Sequence, residues 1–329
     1  MVLDSDLLAE LLRSEPDLAW SRLVTLTLQI ASQPLDPDSA VVEVGRRERE
    51  IAQLDNALSG AAWELWRSFP VSVQRTSEAL CSWWDSQGGG KAVLILDALS
   101  LRELPWLLQG AEKRGFTLHG ARACGSELPG ETTPFARALG LQSRSQLQNN
   151  GGGSSHRLAP ARSEAVDLAW PDCQALVDSS PEWLFWHHWP DSKLHQGSGP
   201  GYGLELFTGE AMEQLDNEEF WQFVSRLATG RRLVITSDHG YAATGGFSDA
   251  GGELGKFLKG VFAGGRSAAG SAELGPYVPP VALRVDSDRG PQVMAVGRRK
   301  WKNQGGYPTL THGGLTLLEV LSPFLEISK

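Results

Sequence analysis

Short runs of uninterrupted apolar residues recur from Lys91 onward, each followed by a stretch with helical spacing. Lys91-Ala92-Val93-Leu94-Ile95-Leu96-Asp97 and Arg232-Leu233-Val234-Ile235-Thr236-Ser237 are the clearest. A run of this kind has no polar face, so it reads as a parallel strand buried on both sides. The pattern predicts strands at about 93–97, 116–123, 182–187, 232–236, 281–285 and 292–296. Helices are expected at about 101–114, 132–140, 209–229 and 314–325. Such alternation specifies an α/β fold with a doubly wound, mostly parallel sheet covered on both faces.

Residues 1–88 follow a different pattern, helical throughout. Ser14-Glu15-Pro16-Asp17 supplies a cap, a first-turn proline and an acid ahead of an apolar-periodic stretch ending near Ser32. The periodicity continues from Glu48 to Phe69 and from Val71 to Trp84, and Gly88-Gly89-Gly90 stops it. The expected organisation is an N-terminal helical region, 1–88, and a catalytic domain, 89–329. Ser143 to Ser155, with Asn149-Asn150-Gly151-Gly152-Gly153, reads as a flexible insertion, and 263–280 as a second Gly/Ser/Pro-rich loop.

Composition narrows the class. The chain has 329 residues, 41% hydrophobic and 21% charged, which is ordinary for a soluble globular protein. No apolar run approaches the length of a membrane span. The first six residues are acidic and lack a basic-then-apolar signal. Cys81, Cys124 and Cys173 are far apart and odd in number, so no disulfide framework is expected. Together these features predict the bacterial cytoplasm and no membrane partner. A net charge of −9 opposes bulk non-specific nucleic-acid binding. Arg298-Arg299-Lys300-Trp301-Lys302 could still form a local rim for phosphates and a base, although a solvated hairpin end is the plainer reading. Trp183, Trp186 and Trp189 are expected mainly in the core, with one or two lining a site.

The candidate chemistry lies at strand ends and glycine turns. The run 232–237 ends on Asp238-His239-Gly240, and the run from Lys91 ends on Asp97. Open α/β sheets bind ligands at those ends. Asp191 and His195 stand four residues apart, which brings both to one face of a helical turn. His312 precedes Gly313-Gly314, where the backbone can approach a site closely. Each residue alone has an innocent use: Asp97 as a helix cap, His312 as a core histidine, Asp191 with His195 as a surface pair. Taken together, three carboxylates and three imidazoles make two three-ligand sets suited to Zn²⁺ or Mn²⁺. A hydroxyl comes from Thr132 or Thr133, at the entry of a helix-like stretch where unpaired N–H groups favour phosphate; Thr132 could equally be a simple N-cap.

The order Asp97, Thr132, Asp191 with His195, Asp238-His239, His312 resembles the alkaline phosphatase superfamily. Pro129-x-x-Thr132-x-Pro134 is similar to the nucleophile turn of nucleotide pyrophosphatase/phosphodiesterases. Pro190-Asp191-x-x-x-His195, followed by Gly199-Pro200, is similar to their first-metal loop with one extra residue. The segments Leu96-Asp97-Ala98-Leu99, Thr236-Ser237-Asp238-His239-Gly240-Tyr241 and Thr311 to Pro323 look most like the PglZ domain of bacterial phage-defence (BREX-type) loci. The resemblance covers about residues 91–329.

It implies an alkaline-phosphatase-type sheet and a metal-dependent phosphoric ester hydrolase with two divalent ions, Zn²⁺ ahead of Mn²⁺. The first ion would sit on Asp191, His195 and His312, the second on Asp97, Asp238 and His239, with Thr132 as nucleophile. Substrates would be phosphate esters, a nucleotide or nucleic acid among them, and partners would be other defence proteins. The nearest arginines in sequence, Arg122 and Arg137, are not beside Thr132, which tilts the expectation to diesters. Gly130 stands where relatives carry a hydroxyl residue, and Cys124 is not followed by Pro-x-Arg, which argues against a sulfatase. The rivals are a phosphomonoesterase, a metal-stabilised scaffold of a defence complex without catalysis, and a phosphomutase, which needs a larger insertion than 143–155.

Overall fold

Alternation along the central strands divides the molecule. The computed structural model describes residues 5–151, 153, 155–196, 201–270, 275–287 and 290–329. In β1 (Lys91–Leu96), Ala92, Leu94 and Leu96 enter one apolar layer while Val93 and Ile95 enter the opposite one. Period-2 geometry therefore fills two cores from one continuously apolar strand.

The chain opens with α1 (Ser5–Arg13), α2 (Pro16–Ala31) and α3 (Ala40–Gly60), then α4 (Phe69–Ser72) and α5 (Thr76–Ser86). After β1 come α6 (Leu104–Lys113), β2 (Thr117–Gly125), α7 (Thr132–Ala138), a 3₁₀ helix (Arg144–Asn150), β3 (Arg162–Val166), α8 (Trp170–Leu176), β4 (Glu182–His187) and α9 (Asp191–Gln196). Then follow α10 (Leu204–Asp216), α11 (Glu218–Ala228), β5 (Arg232–Thr236), β6 (Ala242–Ala243), β7 (Ser248–Ala250), α12 (Gly252–Phe262) and β8 (Ser267–Ala269). The last part holds β9 (Ala282–Ser287), β10 (Gly290–Ala295), β11 (Arg299–Trp301), β12 (Leu310–Thr311), α13 (Leu317–Val320) and β13 (Leu321–Ser328).

The main sheet has the order β2-β13-β5-β1-β4-β3. β1, β3, β4 and β5 run parallel, and β13 is antiparallel to both of its neighbours. The expected mostly parallel α/β sheet is what forms. α6, α8, α10 and α11 supply one apolar layer; α5, α7 and the 3₁₀ helix supply the other. No described helix is long and apolar enough to cross a membrane.

Four expectations change. The stretch 314–325 is not a helix: α13 is one turn, and β13 fills the slot between β2 and β5. The strands near 281–285 and 292–296 exist, but they form a separate antiparallel sheet, β8-β10-β9, over α12. The helix 209–229 divides at Asn217, whose side chain accepts the Glu219 N–H at 2.8 Å and caps α11. The segment 143–155 is not a simple loop: Arg144–Asn150 forms 3₁₀ turns broken by a kink at Gln148 and Asn149, with Leu147 fully buried and the Asn149 amide held by Glu164 at 2.8 Å. Residues 152 and 154 of that segment lie outside the described residues, as do Gly199-Pro200 of the first-metal motif and 271–274 of the second loop.

Candidate metal centre and its hydroxyl

Three sheet strands and two turns converge at one end of the sheet. Asp97 follows β1, Asp238 and His239 follow β5, and Asp191 opens α9, just after β4. The Asp191 amide donates to the Asp97 carbonyl at 2.9 Å, joining two of these ends directly. Ala98, next to Asp97, has φ +61°, a left-handed conformation costly for a residue with a Cβ. That geometry aims its N–H at Asp238 Oδ1, 3.0 Å away. The same oxygen takes the His239 amide at 3.1 Å, so Oδ2 of Asp238 is left over.

The imidazoles are held by their far nitrogens. His239 Nδ1 donates to the Gly240 carbonyl at 2.9 Å, and His312 Nδ1 to the Gly130 carbonyl at 3.2 Å. Each bond fixes a tautomer whose Nε2 is a bare acceptor, the form a metal requires. His195 Nε2 lies 3.3 Å and His312 Nε2 3.6 Å from Asp191 Oδ1. His239 Nε2 lies 3.8 Å from Asp97 Oδ1 and 3.5 Å from Asp238 Oδ2. Two ligands about 2.1 Å from one ion at a tetrahedral angle are themselves roughly 3.4 Å apart, so these spacings fit chelation better than hydrogen bonding.

Two groups could hold an ion: Asp191, His195 and His312, and Asp97, Asp191 and His239. The first is the expected set. The second contains Asp191 where Asp238 was expected, with Asp238 Oδ2 alongside, and makes Asp191 common to both. Asp191 Oδ1, Asp238 Oδ2 and His239 Nε2 are buried and have no hydrogen-bond partner among the described residues. Buried polar atoms left so are costly, and a cation would satisfy all three. The donor set therefore fits divalent ions.

Charge is finely set here. Burial, then the neighbouring Asp238 and Asp191 carboxylates, raises the Asp97 pKa well above the usual range. Burial would raise Asp191 too, but the His195 ring 3.3 Å away and the His239 and His312 rings bring it down to about 2. Burial and the adjacent His239 lower His312 to about 4, keeping it neutral. The Asp191 carboxylate beside it raises His195.

Thr132 Oγ1 donates to Asp97 Oδ1 at 3.2 Å. Its innocent use as an N-cap falls away: Glu131 occupies the cap and Thr132 is the first helical residue of α7. The glycine two residues earlier has a steric cause. A Cβ on Gly130 would lie 3.2 Å from Ser126 Oγ and 3.3 Å from the Glu319 carbonyl, so a side chain there would press on both.

Trp186 is one of the tryptophans expected in the core or lining the site, whereas Arg144 and Glu319 carry no sequence signal of their own. Trp186, fully buried, donates its indole N–H to Asp97 Oδ2 at 2.9 Å. Arg144, from the 3₁₀ helix, makes an ion pair with the same oxygen. Asp97 is its only hydrogen-bond acceptor among the described residues, leaving most of the guanidinium fork without one. An arginine therefore does stand by Thr132 in space, contrary to the expectation from sequence proximity. Glu319, fully buried against Arg266 at 2.7 Å, takes the Gly314 amide at 2.8 Å, and its carbonyl takes the Gly240 amide at 2.9 Å. One residue thus steadies both histidine turns. Arg298–Lys302 is neither the basic rim nor wholly the solvated hairpin end that is the plainer reading of the sequence: Arg298 is buried against Glu48 and Asp55, and Trp301 is buried with its N–H on the Ala263 carbonyl.

No protein-family model matches the chain, and no curated protein matches it. Among solved structures, it is similar to murine ectonucleotide pyrophosphatase/phosphodiesterase 5 in an inactive variant bound to AMP. That likeness has 13% identity and a TM-score of 0.47, covering 73% of this chain and 88% of that one. A second structure of the murine protein gives 14% and 0.46, covering 72% and 87%. The human counterpart gives 13% and 0.45 over the same shares.

Proposed function

We propose that the chain is a metal-dependent phosphoester hydrolase of the alkaline phosphatase superfamily, PglZ-like, with Thr132 as its nucleophile. The observation that carries this reading is the Thr132 hydroxyl resting on Asp97 inside a cluster of carboxylate and imidazole atoms that lack other partners. Asp191, His195 and His312 would hold one divalent ion, and Asp97, Asp238 and His239, with Asp191 shared, a second. Bound there, Zn²⁺ in preference to Mn²⁺ would neutralise phosphate charge and lower the pKa of the hydroxyl.

The chain's own part begins with Asp97, whose Oδ1 orients Thr132 Oγ1. Oγ1 attacks phosphorus, the bond to the departing ester oxygen breaks, and the proton shed by Thr132 ends on that alkoxide by way of solvent. Water then cleaves the phosphothreonine, restoring the hydroxyl and releasing phosphate from a monoester or a phosphomonoester from a diester. Trp186 and the left-handed Ala98 keep Asp97 and Asp238 in place throughout. With Arg144 beside Asp97, the ground for preferring diesters is gone, so the substrate is proposed as a phosphate ester of either class. A place among phage-defence proteins in the cytoplasm rests on the PglZ-like segments.

The test is metal analysis of the purified protein, with turnover of mono- and bis-nitrophenyl phosphate by wild type and Thr132→Ala. Bound metal is expected, with activity that falls by orders of magnitude in Thr132→Ala while metal is retained. Metal without turnover would make the chain a scaffold. A near wild-type rate in Thr132→Ala, with Thr133→Ala inert, would move the nucleophile by one residue.

A further inference from the structure

Helix α3 carries two carboxylates into the interior of the sheet-bearing part. Glu48 bonds the Arg102 guanidinium at 2.9 Å and also pairs with Arg298. Asp55, 1% exposed, takes the Leu317 amide at 2.8 Å through Oδ1 and Arg298 at 3.2 Å through Oδ2. Arg102 in turn donates to the Tyr241 carbonyl at 2.7 Å and lies over the Tyr241 ring, 4.5 Å from its centroid. Tyr241 follows Asp238-His239-Gly240 directly, and Leu317 follows the His312-Gly313-Gly314 turn. One buried charge cluster built around α3 therefore reaches the backbone just beyond both ligand-bearing turns, at Tyr241 through Arg102 and at Leu317, the first residue of α13.

We propose that Asp55 and Glu48 are positioning residues for the metal ligands, Asp55 through the Leu317 amide and Glu48 through Arg102 and the Tyr241 carbonyl. This rests on the metal-dependent reading above. Buried ion pairs add little net stability compared with apolar packing, and Ile51 and Leu54 already bury α3. What the carboxylates add is direction: an acceptor at one point fixes where the Leu317 amide lies, and hence the path of the turn that begins at His312. Apolar contact would hold the helix but not the register of that turn. Groups that orient metal ligands typically govern affinity by roughly 10- to 100-fold.

The test is a Co²⁺ titration followed by its visible absorption, well below the unfolding temperature, on the full chain. Asp55→Ala is expected to weaken one of the two binding events by roughly 10- to 100-fold. Asp55→Asn, which keeps an oxygen for the Leu317 amide, should recover most of that loss. Ile51→Ala, a core truncation on the same helix, should lower the melting temperature yet bind Co²⁺ like wild type. Asp55→Leu serves if Asp55→Ala does not fold. Wild-type binding by Asp55→Ala, or an equal weakening in Ile51→Ala, overturns the positioning role. Failure of the wild-type protein to bind Co²⁺ at all would instead sink the metal-dependent reading.

Discussion

Arg144 shows what a side chain can do that its sequence neighbourhood conceals. It sits 47 residues from Asp97, in a segment whose composition suggests only a loop, and it ends on the same carboxylate that orients Thr132. Asp97, Asp191, His195, Asp238, His239 and His312 were legible because each has a local mark: a strand end, a helical spacing, or a glycine turn. A contact that depends on how a distant segment folds back has no such mark, and Glu319 escaped for the same reason, whereas Trp186 is expected in the core or at the site without its partner being readable. Arg144 has donors to spare, and hydrogen bonds to charged groups are worth about 1.5–3 kcal/mol. Arg144→Ala is therefore expected to lower kcat/KM on mono-nitrophenyl phosphate by roughly ten- to a hundredfold. The diester, with one charge fewer, should lose less. Metal affinity should hold or rise, because a cation competing for Asp97 has been removed. An equal loss on both esters would reduce Arg144 to an anchor for Asp97.

At the level of elements, the apolar run after Gly314 misleads because periodicity cannot separate a buried strand from a buried helix. Its fate is settled by the vacancy between β2 and β5, which only a strand can fill with ladder hydrogen bonds. β3 was missed for the opposite reason: Arg162-Ser163-Glu164 carries no apolar signal, and the strand is defined by pairing with β4. Arg298 was legible as cationic but not as interior, since α3 supplies its opposing carboxylates from some 250 residues away. Removing one member of such a buried cluster strands the others. Arg298→Ala should thus destabilise by about 3–5 kcal/mol in urea titrations. The salt dependence of oligonucleotide binding should not change. A stable variant with weakened oligonucleotide binding would restore Arg298 to a surface role.

For the molecule as a whole, several buried acids change charge near neutral pH. Burial raises Glu127 to about 7, Glu103 to about 7 and Asp55 to about 6. A carboxyl whose folded pKa lies above its ordinary value stabilises the fold fully below that ordinary value. The contribution is lost as pH rises through the folded pKa. Below about pH 6.5 this loss is offset by His187 and His312, which burial holds neutral and which stabilise the fold as pH rises. The acids should therefore lower the melting temperature of the metal-free protein mainly between about pH 6.5 and pH 8. Glu127→Gln, still able to accept from Ser77, should melt above wild type at pH 8, with the gap closing toward pH 5. A constant gap across that range would assign the effect to packing rather than ionisation.

β13 also sets the order in which the sheet can be assembled. Leu321 pairs with Gly125 and Ser328 with Thr117, so β2 joins the sheet only through residues made long after it. Until they emerge from the ribosome, a nascent chain holds β5 with one side of its ladder open, and open ladder edges recruit strands from other molecules. Closure depends on a contact of very long sequence separation, the kind that slows folding. The same eight residues that complete the sheet thus end the period in which the growing chain is most prone to aggregate.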